Sequence, residues 1–310
     1  MQTKRHEQVR FVGLGNMGQP MALHILQAMS DESDLSVFDQ RAERMSPLVA
    51  RGARAVDQLA EVARPGGIVF TMVPDDRALL QVALGEGGIL KQLGTGGVHV
   101  SLSTVSPDVS TQLARLYQKQ GCAYLAATVL GRPDVAERGE LSIFLAGDPA
   151  AKLRVRPLLA AMGKRLYDLG EQVEVANIVK IGYNFLIASA IEAMGEAAAL
   201  VEAYGMDRER FLNMLVESPF FRGTVFEGYG SMIGTRDFSD ARFPVALGLK
   251  DVELALQVSQ RKKVELPYAD VFYEHLLAAQ AAGRGYEDWA VLSEFAQPGA
   301  THRLQYAGRK

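Results

Sequence analysis

The chain has 310 residues, which is long for one hydrophobic core and comfortable for two domains. Hydrophobic residues make up 48% of it and charged residues 22%, a composition typical of folded globular proteins. A formal net charge of -3 argues against a nucleic-acid-binding protein or one that binds anionic membranes. A single cysteine, Cys122, cannot form an internal disulfide, so a reducing, cytoplasmic location is expected.

Short β-branched runs alternate with amphipathic stretches in the N-terminal half. Seven runs are predicted to be strands: 9–14, 35–39, 68–73, 98–102, 123–129, 141–146 and 165–169. The amphipathic stretches between them, predicted to be helices, include 17–29, 76–84, 107–120 and 150–162. This alternation predicts an α/β domain over residues 1–170, built on a doubly wound parallel sheet.

The pattern changes to helical periodicity alone after Gly170. One long interdomain helix, 173–204, is predicted to lead into an all-α domain that covers 171–298, and 299–310 form a polar tail. The most apolar part of this helix carries Glu192 and Glu196, two charges that a hydrocarbon core would penalise. It is therefore predicted to be a core helix, and no membrane partner is expected.

A glycine-rich turn follows the first predicted strand. Gly13 allows a tight turn, Gly15 lets backbone amides approach a pyrophosphate, and Gly18 lets the next helix pack closely on the strand. The helix start offers unpaired amides and a positive dipole end to an anion. The context predicts a Rossmann domain, although an empty turn of the same shape is the alternative. The predicted cofactor contacts here are Gly13, Leu14, Gly15, Asn16, Met17 and Gly18.

The acidic residue Asp39 ends the next strand, near the usual spacing of about 20 residues after the turn. A carboxylate there accepts hydrogen bonds from ribose hydroxyls, which favours NAD(H). Arg41 and Arg44 follow closely, and an arginine at this place holds the 2′-phosphate of NADP(H). Asp39 and Arg41 are both predicted cofactor contacts. The sequence leaves NAD(H) or NADP(H) open, with a lean to NAD(H) because a carboxylate repels a phosphate.

Three polar residues of the long helix, Asn177, Lys180 and Asn184, share one face because they are spaced i, i+3 and i+7. Ile187 and Ile191 continue the same stripe, as on a buried helix. Hydride transfer to a carbonyl needs a proton donor, and a lysine serves when burial and a nearby positive charge lower its pKa. Lys180 is therefore either a general acid/base or an exposed lysine at a helix start. No zinc motif, nucleophile elbow or P-loop is present, so no metal is predicted.

The segment Gly13-Leu14-Gly15-Asn16-Met17-Gly18-Gln19-Pro20-Met21-Ala22 resembles the opening signature of the β-hydroxyacid dehydrogenase family. That family includes 3-hydroxyisobutyrate dehydrogenase, tartronate semialdehyde reductase and glyoxylate/succinic semialdehyde reductases. The resemblance extends over nearly the entire chain. Four further segments are similar to family loops or helices: Met72-Val73-Pro74, Ser103-Thr104, the run from Asn177 to Asn184, and Leu249-Lys250-Asp251.

The resemblance implies an NAD(P)-dependent dehydrogenase or reductase acting on a small 3-hydroxyacid or semialdehyde. It implies that Lys180 is the proton donor or acceptor, with Asn184 beside it in the substrate site. It further implies cofactor contacts from Met72, Val73, Pro74, Thr104 and Lys250, and substrate contacts from Ser103 and Asn177. Family members are typically homodimers or homotetramers built through the helical domain, so a homo-oligomer is expected.

One segment departs from the family. The family's substrate loop reads Asp-x-Pro-Val-Ser-Gly-Gly, and this chain has Ala126-Ala127-Thr128-Val129-Leu130-Gly131-Arg132. Leu130, Gly131 and Arg132 are the predicted substrate contacts, and their chemistry differs from that of the family. Arg132 either grips a substrate carboxylate from a new angle or is a loop arginine in water.

Two other functions remain open. An apolar side chain at Leu130 would suit a bulky ketone or a cyclic imine rather than a small hydroxyacid. Related imine reductases share the architecture but usually lack the lysine, so Lys180 favours carbonyl/alcohol chemistry. A non-catalytic NAD(P)-binding protein is the remaining alternative, and such a protein has no need of a proton donor.

Overall fold

The computed structural model describes residues 8–29, 35–203, 205–218, 224–262 and 266–296, so the predicted polar tail lies outside the described residues. The chain divides into two compact units, Met1–Lys180 and Ile181–Lys310. The division falls inside a long helix, whereas the sequence placed the domain boundary at 170, before that helix. The domain limits drawn from the sequence stay a prediction.

Eight strands form one sheet in the first unit. They are β1 Val9–Val12, β2 Leu35–Phe38, β3 Arg54–Ala55, β4 Ile68–Thr71, β5 Val98–Ser101, β6 Ala123–Leu130, β7 Leu141–Ala146 and β8 Gly163–Asp168. Their order across the sheet is β3-β2-β1-β4-β5-β6-β7-β8. The first six strands are parallel and have the strand order of a Rossmann fold, which confirms the predicted fold class.

The pair β6–β7 is antiparallel, which the sequence did not predict. Residues 131–140 alone connect these two strands, and a crossover to a parallel strand needs a dozen residues or more. The chain therefore turns back beside β6, and Leu130 comes to lie opposite Ser142. The sequence also missed β3, because a strand of two residues is too short to show a periodicity of two.

Helices cover both faces of this sheet. They are α1 Gly18–Ala28, α2 Ser46–Val49, α3 Asp76–Leu84, α4 Ile89–Leu93, α5 Pro107–Lys119, α6 Pro133–Glu137 and α7 Pro149–Met162. Successive strand side chains point to opposite faces, so Phe70 packs with Ile25 of α1 while Val69 packs with Leu113 of α5. These fully buried strands explain why the sequence shows continuous apolar runs rather than alternation.

Helices dominate the second unit. They are the part of α8 (Val173–Ala203) from Ile181 onward, α9 Arg208–Glu217, α10 Thr224–Thr235, α11 Val245–Lys262 and α12 Pro267–Ala281, followed by a 3₁₀ helix, Trp289–Ala296. Its core contains Ile191 of α8, Phe272 of α12 and Trp289. Within the described residues of this unit, the β-structure is limited to one isolated bridge between Pro244 and Asp288. The all-α prediction for this half is confirmed.

The helix α8 contains a segment, Val173–Gly195, with the length and mean hydropathy (1.2) of a membrane span. It also carries Lys180 and Glu192, both buried, and Glu192 lies 3.0 Å from His275 Nδ1 within the second unit. Buried charges that meet a protein partner are typical of a core helix rather than of a helix facing lipid. The prediction that α8 is a core helix agrees with this pairing.

Candidate active site

The carboxyl ends of five strands meet at one edge of the sheet, because β1, β2, β4, β5 and β6 run parallel. The chain reverses its direction of winding between β1 and β4, and in such sheets ligands bind at that edge. Every predicted contact of the first unit except those on α8 lies at or just after the end of one of these strands: residues 13–18, 39–41, 72–74, 103–104 and 130–132. The topology thus brings these segments to a common edge.

The three glycines of the turn occupy different surroundings. Gly13 has φ +92°, and a Cβ built on it would lie 2.2 Å from the carbonyl oxygen of Met72. A Cβ on Gly18 would lie 1.9 Å from the carbonyl oxygen of Gly13. Beside Gly15, in contrast, the nearest atom is Nη1 of Arg44 at 3.8 Å. Gly13 and Gly18 are required by packing, whereas the space beside Gly15 is open, as a bound pyrophosphate requires.

The carboxylate of Asp39 joins the turn to the end of β2. It accepts hydrogen bonds from the backbone N–H of Leu14 (2.7 Å) and of Arg41 (2.9 Å). Its Oδ2 also lies 3.7 Å from Nη1 of Arg44. The Arg41 residue is exposed, so Arg44 supplies the guanidinium beside Asp39 and Gly15. Sequence spacing alone does not tell which of the two arginines lies beside Asp39. A short 3₁₀ turn over Ala42–Arg44 brings Arg44 back to the edge of the sheet.

The loops that follow β4 and β5 are held to each other. The backbone N–H of Val73 donates to Oγ of the fully buried Ser103 at 2.8 Å. The backbone N–H of Ser106 donates to Oδ1 of Asp76 at 2.8 Å. A serine hydroxyl that accepts one hydrogen bond still has its proton to donate. The predicted contacts 72–74 and 103–104 therefore lie in two loops that are hydrogen-bonded to each other.

A buried polar cluster lies under these loops. Nε2 of His99 is 3.0 Å from Oγ1 of Thr71, the last residue of β4, and its Nδ1 is 2.7 Å from the hydroxyl of Tyr117. Burial lowers the pKa of His99 to about 3 and raises the pKa of Tyr124 to about 12, so both are uncharged at neutral pH. A neutral imidazole has one donor and one acceptor nitrogen, which matches two hydroxyl neighbours. No sequence motif pointed to this cluster.

The segment at the end of β6 combines an apolar residue, a glycine and an arginine. Leu130 is half-buried and packs against the apolar cluster of the α5 face. Gly131 has φ +150°, and a Cβ there would lie 2.6 Å from Cδ2 of Leu141. The side chain of Arg132 is 22% exposed, and its Nε is 3.7 Å from Oδ1 of Asp134. The guanidinium therefore lies at the edge of the sheet rather than fully in water.

The first turns of α8 carry two buried polar residues that belong to the first unit. Lys180 is 8% exposed, so it is not a surface lysine at a frayed helix start. Asn177 is 1% exposed, and neither atom of its side-chain amide has a hydrogen-bond partner among the described residues. A buried polar group left without a partner costs about 1–3 kcal/mol. Such an amide indicates a place where a bound molecule completes the hydrogen bonding.

A second buried group lies in the second unit. The amide nitrogen of Asn184, one helical turn beyond Lys180 in sequence, donates to Oδ2 of Asp251. Nζ of Lys250 lies 2.9 Å from Oδ1 of the same carboxylate, which is 3% exposed. Asp251 thereby orients Asn184 and Lys250 together. Asp251 was not among the site residues predicted from the sequence. Its position beside Lys250 in the segment Leu249-Lys250-Asp251 was the one feature of the sequence that could have indicated it.

These residues fit a nicotinamide dinucleotide. The glycine turn leaves open space at a helix start, and a carboxylate stands at the end of β2. A buried amide with no hydrogen-bond partner in the described part of the chain lies one turn before a buried lysine. A Rossmann domain with these features defines a class, the oxidoreductases that use NAD(H) or NADP(H). No cluster of residues able to hold a metal ion is present among the described residues.

Comparison with known proteins extends this assignment. Residues 8–170 match the family described as the NAD binding domain of 6-phosphogluconate dehydrogenase. Residues 175–295 match the family described as NAD-binding of NADP-dependent 3-hydroxyisobutyrate dehydrogenase. The chain belongs to the β-hydroxyacid dehydrogenase family. It is an oxidoreductase of the dehydrogenase/reductase type that acts on CH–OH groups with a nicotinamide cofactor.

Individual relatives cover almost the full chain. The uncharacterized oxidoreductase YfjR of Bacillus subtilis (strain 168) is 38% identical over 284 residues, 92% of this chain and 98% of the relative. The 2-hydroxy-3-oxopropionate reductase of Escherichia coli (strain K12) is 31% identical over 294 residues, 95% of this chain and 98% of the relative. The structure of 3-hydroxyisobutyrate dehydrogenase from Salmonella typhimurium has the same fold, with a TM-score of 0.83 at 24% identity, covering 93% of this chain and 99% of that chain.

Proposed function

We propose that this enzyme interconverts a small semialdehyde-type acid and the corresponding 3-hydroxyacid, with Lys180 as the general acid/base. The observation that carries the proposal is the burial of Lys180, one helical turn after the buried Asn177 amide that has no partner among the described residues. A buried ammonium on a helix that follows a Rossmann domain suits a proton donor better than it suits a surface charge.

The proposed roles follow from the chemistry of each group. The cofactor supplies the hydride in reduction and accepts it in oxidation. Nζ of Lys180 donates a proton to the carbonyl oxygen as negative charge develops there, and accepts the proton in the reverse direction. The Asn177 amide and the hydroxyl of Ser103 are proposed to hydrogen-bond the substrate. Asn184 is proposed to be the neighbour of Lys180 at the substrate, its amide nitrogen held by Asp251.

The proposed cofactor contacts come from the loops at the edge of the sheet. Backbone amides of the turn would hold the pyrophosphate, and Asp39 would hold the adenosine ribose. The contacts proposed are Gly13, Leu14, Gly15, Asn16, Met17, Gly18, Asp39, Arg41, Met72, Val73, Pro74, Thr104 and Lys250. To this set the geometry adds Arg44, which lies beside both Asp39 and Gly15.

The substrate is proposed to carry an anionic group, held by Arg132 where the family has a serine and glycine amides. A guanidinium recognises a carboxylate through parallel hydrogen bonds, which compensates for the hydroxyl lost at Leu130. The name of the Escherichia coli relative, a 2-hydroxy-3-oxopropionate reductase, agrees with a small acid as substrate. An apolar ketone or cyclic imine is the second candidate, favoured by the apolar packing of Leu130.

A panel of carbonyl compounds tests the proposed function. Oxidation of NADH and NADPH is measured with glyoxylate, succinic semialdehyde, methylmalonate semialdehyde, a bulky apolar ketone and a cyclic imine. Turnover of a semialdehyde acid is expected. Turnover of the ketone or imine alone would favour the second candidate, and cofactor binding without turnover of any compound would contradict both.

Replacement of Arg132 separates the two interpretations of this residue. Arg132→Met is expected to raise KM for a semialdehyde acid by about tenfold or more, because a charge-assisted contact with the substrate is lost. The matched control is Arg138→Met, since Arg138 also pairs with Asp134 but is 54% exposed. If both variants raise KM equally, Arg132 acts only through the loop and does not contact the substrate.

We also propose a preference for NAD(H), because the carboxylate of Asp39 stands where a 2′-phosphate would lie. Asp39→Asn keeps an oxygen to accept the Leu14 N–H but removes the negative charge. It is expected to raise kcat/KM for NADPH relative to NADH by about tenfold, with Arg44 as the new phosphate partner. A second substitution, Arg44→Leu, is expected to cancel that gain. An unchanged ratio in Asp39→Asn would contradict the proposed preference.

The enzyme is further proposed to be a cytoplasmic homodimer or homotetramer. Tyr183 and Leu186, three residues apart on α8, are 41% and 62% exposed. Exposed apolar side chains of neighbouring turns are typical of a subunit interface. A single cysteine, buried as Cys122 is, agrees with a reducing compartment.

A further inference from the structure

A buried hydroxyl connects the sheet to the start of α8. Thr128, in β6, is fully buried, and its Oγ1 donates a hydrogen bond to the backbone carbonyl of Ala176 at 2.8 Å. Both residues belong to the first unit, as does Lys180. The bond therefore lies within one compact body.

The position of Thr128 in its strand explains the contact. Side chains at alternate positions of a strand share a face, so Ala126, Thr128 and Leu130 point the same way. That face packs in the apolar cluster that contains Val173 and Ala176 of α8. Thr128 is thus a polar side chain in an apolar layer, and its hydrogen bond to Ala176 satisfies the hydroxyl.

The carbonyl that Thr128 contacts has a particular place in α8. The peptide group of Ala176 continues into the backbone nitrogen of Asn177, and in an α-helix the same carbonyl accepts the N–H of Lys180, four residues on. Anchoring this one oxygen therefore restrains the helical turn that carries both buried polar residues. First turns of helices open most readily, so an anchor there has the largest effect.

The hydroxyl of Thr128 lies in the segment that departs from the family's substrate loop. The residue that aligns with Thr128 in Asp-x-Pro-Val-Ser-Gly-Gly is proline, which has no hydroxyl to donate. The bond to Ala176 thus belongs to the same altered segment as Leu130 and Arg132.

We propose that Thr128 is a positioning residue: its hydroxyl fixes the first turn of α8 and so sets where the Lys180 ammonium meets the substrate. The proposal rests on the proposed role of Lys180 in proton transfer. A displacement of about 1 Å at a reacting group costs roughly a hundredfold in rate at the extreme, so a small relaxation of this turn affects kcat before it affects binding.

Two substitutions isolate the hydroxyl. Thr128→Val keeps the shape and removes the donor, and the Ala176 carbonyl keeps the Lys180 N–H as its partner, so no buried acceptor is orphaned. Thr128→Ser keeps the donor. The matched control on the same helix is Ser189→Ala, because the Ser189 hydroxyl donates to its own helix, at the Phe185 carbonyl (2.9 Å). All three are made in the full chain and compared at equal cofactor occupancy.

Two readouts test the proposal independently. Amide hydrogen exchange of the segment 173–184 is expected to rise about fivefold in Thr128→Val and to stay unchanged in Thr128→Ser and Ser189→Ala. With a substrate from the panel, Thr128→Val is expected to lower kcat about tenfold, to change KM less than threefold and to shift the pH profile of kcat. Thr128→Ser is expected to restore the kcat and the profile.

The outcomes distinguish this proposal from the proposed function. Unchanged exchange in Thr128→Val overturns the anchor whether or not any substrate is turned over. Raised exchange with wild-type kcat and pH profile overturns the positioning role. If exchange rises but wild-type enzyme turns over no carbonyl compound, the proposed function fails and the role of Thr128 in catalysis fails with it, while the anchor itself is upheld.

Discussion

Lys180→Ala is expected to lower kcat by about a thousandfold while the enzyme still folds and binds NAD(P)H. General acid–base catalysis contributes about 10²–10⁴-fold to the rate. Among the residues of the first unit proposed to contact the substrate, the one other cation is Arg132, which is half-buried. The measurements are steady-state turnover of the best substrate of the panel and cofactor affinity by NADH fluorescence. An intact cofactor Kd separates loss of proton transfer from loss of the binding site.

Two further variants make this result specific. Lys180→Arg keeps the positive charge, but a guanidinium does not release its proton at neutral pH, so it too is expected to be nearly inactive. Lys164→Ala is the surface control, because the Lys164 side chain is 69% exposed. Retention of more than a tenth of wild-type kcat in Lys180→Ala would remove Lys180 from the chemical step.

Gly15→Ala is expected to weaken cofactor binding without loss of stability, whereas Gly18→Ala is expected to destabilise the fold. A Cβ on Gly15 would lie 3.8 Å from its nearest neighbour among the described residues, Nη1 of Arg44, so the fold tolerates it. The added methyl group occupies the space proposed for the pyrophosphate. Cofactor Kd is expected to rise by about tenfold or more, with an unchanged Tm in the absence of cofactor. A tenfold change corresponds to about 1.4 kcal/mol of binding free energy.

At Gly18 there is no space for a methyl group. Its Cβ would lie 1.9 Å from the carbonyl oxygen of Gly13, a backbone atom that cannot rotate away. The expected destabilisation is about 3 kcal/mol or more, which lowers Tm by about 5 °C or more. Calorimetry of both variants without cofactor and cofactor titration of both are the measurements. A Gly15→Ala protein that binds cofactor as tightly as wild type would place the pyrophosphate elsewhere.

Local pattern determined much of this protein. The strand–glycine turn–helix unit around Gly13 to Gly18 predicts a Rossmann domain because turn, phosphate approach and helix packing each require a missing Cβ at one position. Seven of the eight strands follow from short runs of β-branched and apolar residues, and the long helix α8 follows from apolar residues repeated about every 3.6 positions. The shared face of Asn177 and Lys180 is also local, because helical spacing alone places them together.

Tertiary structure decided what depends on contacts between distant segments. Spacing left Lys180 either buried or exposed, and the folded chain leaves it 8% exposed. The antiparallel turn from β6 to β7 came from a connection too short for a crossover, and it aligned Leu130 with Ser142. The hydrogen bonds from Asn184 to Asp251 and from Thr128 to Ala176 join residues 67 and 48 positions apart, with no sequence signal between them. Side-chain partners are chosen by packing in three dimensions, and periodicity along the chain records only which face of an element is buried.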